Sequence, residues 1–130
     1  MINRPESNEF APYYAGYIQL VPEGHMADTE RIMSYRLLRI ARGDGTPLPG
    51  FEEDAFVLGA SFDLLSLEDM LDNLAAVRKS TLALMKGIAP GAYLRMGLAS
   101  NSAVSARALA YIISGHELHH RNVLVERYLL

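Results

Sequence analysis

The sequence predicts an all-α fold, an up-down helical bundle of three long helices and a short N-terminal one. Three observations carry that prediction. Apolar residues recur at helical spacing through three segments, good capping residues stand at their ends, and no run alternates convincingly enough for a strand. At 130 residues the chain is expected to form a single domain over 1–130. Half of it is hydrophobic and about a fifth charged, ordinary globular usage that excludes a disordered or coiled-coil composition.

The first element is the short one. Phe10, Tyr13, Tyr14, Tyr17 and Ile18 follow i, i+3, i+4, i+7 spacing and predict a short helix with an aromatic side. Pro22 and Gly24 then interrupt the chain. From His25 to about Arg42 the pattern is helical, with Met26, Ile32, Met33, Tyr35, Leu38 and Ile40 as the apolar stripe and Gly43 at the C′ position. Residues 43–65 carry three glycines and two prolines at their head, then an acidic stretch with Phe51 and Phe56. They read as a long connection packed over one end of the fold.

Ser66 is an N-cap with Asp69 at N3, opening a helix through Leu67, Met70, Leu71, Leu74, Val77, Leu82 and Leu84 that stops at Gly87. Residues 88–102 read as a second loop. The last helix is expected from about Ala103 to Tyr128, burying Val104, Leu109, Ile112, Ile113, Val123, Leu124 and Leu129.

Composition narrows the chemistry. Twelve basic residues face fifteen acidic ones without a block of either sign, which argues against a nucleic-acid partner. No apolar run reaches the ~18 residues of a membrane span, and the N-terminus lacks the pattern of a signal peptide, so a cytoplasmic protein with no membrane partner is expected. There is no cysteine, which removes disulfides, thiolate-ligated metals and a protein thiol nucleophile.

Three of the four histidines fall in Gly115-His116-Glu117-Leu118-His119-His120. Helical residues four apart differ by about 40° and about 6 Å of rise. His116 and His120 therefore share a face and can reach one ion. His119 lies about 60° to the other side and is the odd one out. His25 is the natural third ligand; three neutral imidazoles from two helices would leave an open position, as catalytic metals do. The string also spells the His-Glu-x-x-His of zinc proteases. The extended form of that motif needs Gly and His where this chain has Val123 and Glu126, and the expected fold lacks a substrate-binding sheet. Glu117 reads as a solvated helix residue, Tyr111 as a core one, and Arg36 and Arg39 as partners of Glu30, Asp44 or the 52–54 acids.

Three stretches together resemble the DinB-like family of metal-binding four-helix proteins. They are residues 9–24, residues 25–31 with 36–51, and residues 108–120, joined by the His25…His116-x-x-x-His120 set, the Asp-Thr-Glu-Arg run at 28–31 and the Pro-rich loop. The resemblance implies that His25, His116 and His120 bind a divalent metal, with zinc, nickel and iron all suited to imidazole. It also implies a thiol-dependent transferase, in which a low-molecular-weight thiol and an electrophile are the small-molecule partners. The chain departs from the family where Gly24 runs straight into His25, as though most of the first helix were missing. That departure implies an apolar groove filled by the aromatic N-terminal segment or by a second subunit, hence a homodimer. The alternative is a non-catalytic dimerising or stress-related helical protein with a vestigial metal site.

Overall fold

The computed structural model describes residues 22–124. It is mostly helical, with four helices and one small sheet among those residues. The aromatic segment expected as a short helix lies outside them, as do Leu129 and the last turn expected for the final helix.

Helix α1 spans Pro22–Ala41. Proline at its start costs no hydrogen bond, because the first N–H groups of a helix have no internal acceptor. At the other end Gly43 has φ +82°. Its N–H donates to the Ile40 carbonyl, and Asp44 N–H to that of Arg39, each at 3.0 Å. These two bonds make a Schellman close. Helix α1 is the central element, packed against all three other helices. It buries Met26, Ala27, Leu37, Ile40 and Ala41, and also the polar His25, Thr29, Glu30 and Arg36. A helix covered on several sides has no single apolar stripe. For that reason Tyr35 and Leu38, assigned to the core from periodicity, lie exposed.

The 43–65 connection is not a plain loop. Helix α2 spans Glu53–Ala60 and a 3-10 turn follows at Phe62–Leu64. The acids Glu53 and Asp54 sit in the first turn of α2, where negative charge meets the positive end of the helix dipole. Nor does the connection cover one end only. It leaves the C-terminal end of α1 and returns to its N-terminal end, where the Phe62 ring packs on Gly24. A Cβ at Gly24 would stand 2.5 Å from that ring, so any larger residue there would have to displace it.

Helix α3, Leu67–Lys86, begins as expected at Ser66, whose Oγ accepts from Asp69 N–H at 3.0 Å. It buries Met70, Val77 and Thr81, while Leu67, Leu71 and Leu82 stay exposed. Its partners on α1 rise together, from Glu30 with Arg78 to Ser34 with Thr81, so α1 and α3 run the same way. The up-down order thus holds for the last helix against both but not between these two. The long returning connection is what permits a parallel pair.

A hairpin of β1, Met96–Ala99, and β2, Ser102–Ser105, follows a 3-10 turn at Pro90–Leu94. Sequence periodicity gave no strand here. Each strand has four residues, and the turn is Ser100–Asn101 with both φ values positive, 51° and 64°. That is the primed geometry a two-residue hairpin needs, reached without glycine. Leu48 joins the edge: its N–H donates to Leu98 O at 2.9 Å, and its carbonyl accepts from Ser100 N–H at 3.1 Å.

Helix α4, Ala106–Leu124, therefore starts later than Ala103. Ser105 caps it, accepting from Ala108 N–H at 3.0 Å. Leu109 and Ile113 are buried as expected, but Ile112 is exposed, and Tyr111 is 73% exposed rather than in the core. The main apolar cluster joins Leu37, Ile40, Ala41, Leu48, Ile88, Ala92, Ala99, Ala106 and Leu109. It lies at the C-terminal end of α1 and the N-terminal end of α4, which places those two helices antiparallel. No helix among the described residues is long and apolar enough to cross a membrane.

Candidate metal centre

The antiparallel pairing brings the first turns of α1 against the later turns of α4, and with them the three histidines. His25 Nε2 lies 3.1 Å from His116 Nε2, which lies 3.1 Å from His120 Nε2. His25 and His120 are buried and His116 is half-buried. Among the described residues these three form the one group of potential ligands with all donor atoms within 4.8 Å of one another. His119 is exposed and stands aside, its ring 5.3 Å from that of His120.

Burial first, and then repulsion between the neighbouring rings, pushes the pKa of all three imidazoles down to about 4. His120 acts on His25. His25 and then His119 act on His116, partly opposed by Glu30, and His116 and then His119 act on His120. Near neutral pH the set is therefore uncharged, the state in which imidazole ligates metals.

Hydrogen bonds alone account poorly for this arrangement. A nitrogen of neutral imidazole either carries a proton or offers a lone pair, never both. His116 Nε2 therefore cannot donate to one neighbour while accepting from the other. A cation accepts all three lone pairs at once, so the donor set fits a divalent ion of the imidazole-binding kind. His120 Nδ1 and Thr29 Oγ1 are buried without a protein hydrogen-bond partner among the described residues.

Around the site runs a network that sequence reading did not foresee. Arg78 on α3 holds the Glu30 carboxylate through Nε and Nη2, at 3.0 and 2.6 Å, and Glu117 through Nη1, at 2.6 Å. Thr81 Oγ1 adds a bond to Glu30 at 2.7 Å. The Glu30 bonds, ahead of those to Glu117, raise the guanidinium pKa further above its ordinary value. Glu117 is thus an ion-pair partner rather than a merely solvated residue, and Glu30 takes Arg78 instead of Arg36 or Arg39. Arg39 pairs with Asp44 as expected, whereas Arg36 donates to Pro49 O at 2.9 Å and Ser100 Oγ at 3.1 Å. Arg78 was hidden because its partners lie 48 and 39 residues away. The Asp-Thr-Glu-Arg run offered the one usable signal, since it places Thr29 and Glu30 one turn past His25.

The protease alternative loses its base here. Glu117 is clamped by Arg78, and α4 continues through Leu124 without the required break. A small cavity of about 10 Å3 adjoins the site between α1 and α4, lined by Thr29, Glu30, His116 and Glu117 among others.

The family model described as the DinB superfamily matches residues 24–124, which include all three histidines. No curated protein and no solved structure matches the chain.

Proposed function

The chain belongs to the DinB superfamily, and from that premise we propose that it binds one divalent metal through His25, His116 and His120 and transfers a low-molecular-weight thiol onto an electrophilic substrate. The observation that carries the proposal is the convergence of three Nε2 atoms from α1 and α4, across 91 residues of sequence. Zinc, nickel and iron all suit such a site. A bound divalent cation would supply the charge that deprotonates a thiol near neutral pH.

The chain's own residues have definable tasks in this reading. The three imidazoles, uncharged near neutral pH, hold the ion without a competing proton. Arg78 joins α3 to Glu30 on α1 and Glu117 on α4, which fixes the helix carrying His116 against the one carrying His25. With no cysteine in the chain, no protein thiol competes for the open position. The position of His25, turned onto the His116–His120 pair, supports the enzymatic reading over a non-catalytic protein with a vestigial site.

Elemental analysis of wild type and of His25→Ala, His116→Ala and His120→Ala tests this directly. One ion per wild-type chain is expected, with at least a hundredfold weaker binding in each variant. Thiol transfer should follow metal content when thiols and electrophiles are surveyed. Wild type that takes up no zinc, nickel or iron would remove the enzymatic reading. Metal retained by His25→Ala would reduce the site to a two-ligand remnant.

A further inference from the structure

The acids at 52–54 are not explained by the arginines expected to meet them. One of them faces His25 instead. Glu53 Oε2 lies 3.9 Å from His25 Nε2, the atom of His25 that points into the site.

This placement is built by the fold around it. Glu53 and Val57 are one helical turn apart and so share a face of α2. Val57 is fully buried, and α2 packs on α1. Ahead of α2, the Arg36 guanidinium lies 5.6 Å from the Phe51 ring, and Phe51 meets Phe56 at 5.1 Å. Behind it, Phe62 is seated on Gly24, the residue next to His25. The helix carrying Glu53 is therefore anchored on both sides of the histidine it faces.

The contact itself is not a hydrogen bond, since 3.9 Å is too long for one. Two donors bound to one cation at ~2.1 Å stand roughly 3–4 Å apart, and the observed spacing falls in that range. The Glu53 side chain is 47% exposed, so it stands at the mouth of the site rather than in its wall. It also lies outside the tight set formed by the three imidazoles, so its carboxylate has to swing in to share an ion with them.

We propose that Glu53 is a fourth donor of the metal centre, a movable carboxylate on α2 that closes over the ion and yields its place to an incoming anionic ligand such as a thiolate. The inference rests on the three-imidazole reading above. Three neutral ligands leave the full double charge on the ion, so one anionic donor is strongly favoured in the remaining shell. Carboxylate and thiolate both meet that need, and they exclude each other.

The test uses Co2+ as the probe metal and 2-mercaptoethanol as the probe thiol, on the full chain as wild type, Glu53→Gln and Glu52→Gln. Affinity is read by competition with a chromophoric chelator, and coordination by the visible absorption of the bound Co2+. Glu53→Gln is expected to bind Co2+ roughly tenfold more weakly, with a changed absorption band. It should also be saturated by thiol at several-fold lower concentration than wild type, since the competitor is gone. Glu52→Gln removes the same charge one residue away and should match wild type. Wild-type affinity and spectrum in Glu53→Gln would overturn this inference alone, as would an equal loss in Glu52→Gln. Wild type that takes up no Co2+ would overturn the three-imidazole reading and this inference with it.

Discussion

The two ends of helix α1 are built on opposite principles. At its C-terminal end Leu37, Ile40 and Ala41 meet Leu109, Ala106, Ile88 and the hairpin in a cluster without a charged member. The hairpin comes so close that a Cβ at Gly97 would stand 2.6 Å from Ile40. At the N-terminal end the same helix buries His25, Thr29 and Glu30 against the polar side chains His116, His120 and Arg78. Polar burial of this kind costs free energy unless every group is matched. Three imidazoles facing one another are not fully matched by hydrogen bonds among the described residues. The lesson is a division of labour along one helix, in which the apolar end stabilises the fold and the polar end stores an unmet demand that a cation can satisfy.

The first expected effect comes from breaking the apolar end. Leu37→Ala removes a fully buried side chain and should cost about 3 kcal/mol, as lost transfer energy plus the cavity left behind. Urea unfolding of the metal-free protein measures it. Leu37 lies three turns along α1 from His25, so the folded fraction should keep its metal affinity. A parallel loss of affinity would show that the two ends are not separable.

The long helices and the three histidines were legible in the sequence, and the exceptions have physical causes. Helical spacing located α1, α3 and α4, because each is long enough for periodicity to accumulate, and capping residues such as Ser66 and Gly43 marked their ends. His25, His116 and His120 could be named because His116 and His120 lie one turn apart and His25 is the one histidine outside their cluster. The hairpin escaped because four-residue strands carry too little alternation, and Ser100–Asn101 takes a primed turn without the usual glycine. The returning course of 43–66 escaped for a related reason: eight residues of α2 follow a run of glycine and proline that reads as loop. Glu53 and Arg78 could not be found at all. The ion pairs of Arg78 and the approach of Glu53 to His25 span tens of residues, and nothing local distinguishes either residue from a solvated charge.

A second effect, carried by the polar end alone, is expected on acidification of the metal-free protein. The three imidazoles have folded-state pKa values of about 4 against about 6.5 in the unfolded chain. Above pH 6.5 neither state takes up these protons and stability is complete. Between pH 6.5 and about 4 the unfolded chain binds protons that the folded site refuses, so stability falls as pH falls. Below about 4 both states are protonated and these groups contribute no further loss. The melting temperature should therefore drop steadily across that window. Excess zinc should restore it in the upper part of the window, because a ligand bound only by the folded state stabilises it. A melting temperature that stays flat from pH 6.5 to 4 would mean the imidazoles are not held neutral by the fold.

The smallest effect should come from His119, and its smallness is informative. His119 is exposed on α4 and belongs to the histidine run but not to the converging set. If the site is made by geometry rather than by local histidine content, His119→Ala should leave metal affinity within about twofold of wild type and stability within ~0.5 kcal/mol, as for most surface substitutions. One change should still be measurable. Repulsion from His119 helps depress the pKa of His116 and His120, after burial and their nearer neighbours. Removing it lets both rise slightly toward their unfolded value, so the folded site refuses fewer protons in acid. The metal-free variant should then lose slightly less stability than wild type between pH 6.5 and 4. A substantial loss of metal in His119→Ala would instead place that imidazole in the coordination shell and require α4 to be rotated about its axis from the position described.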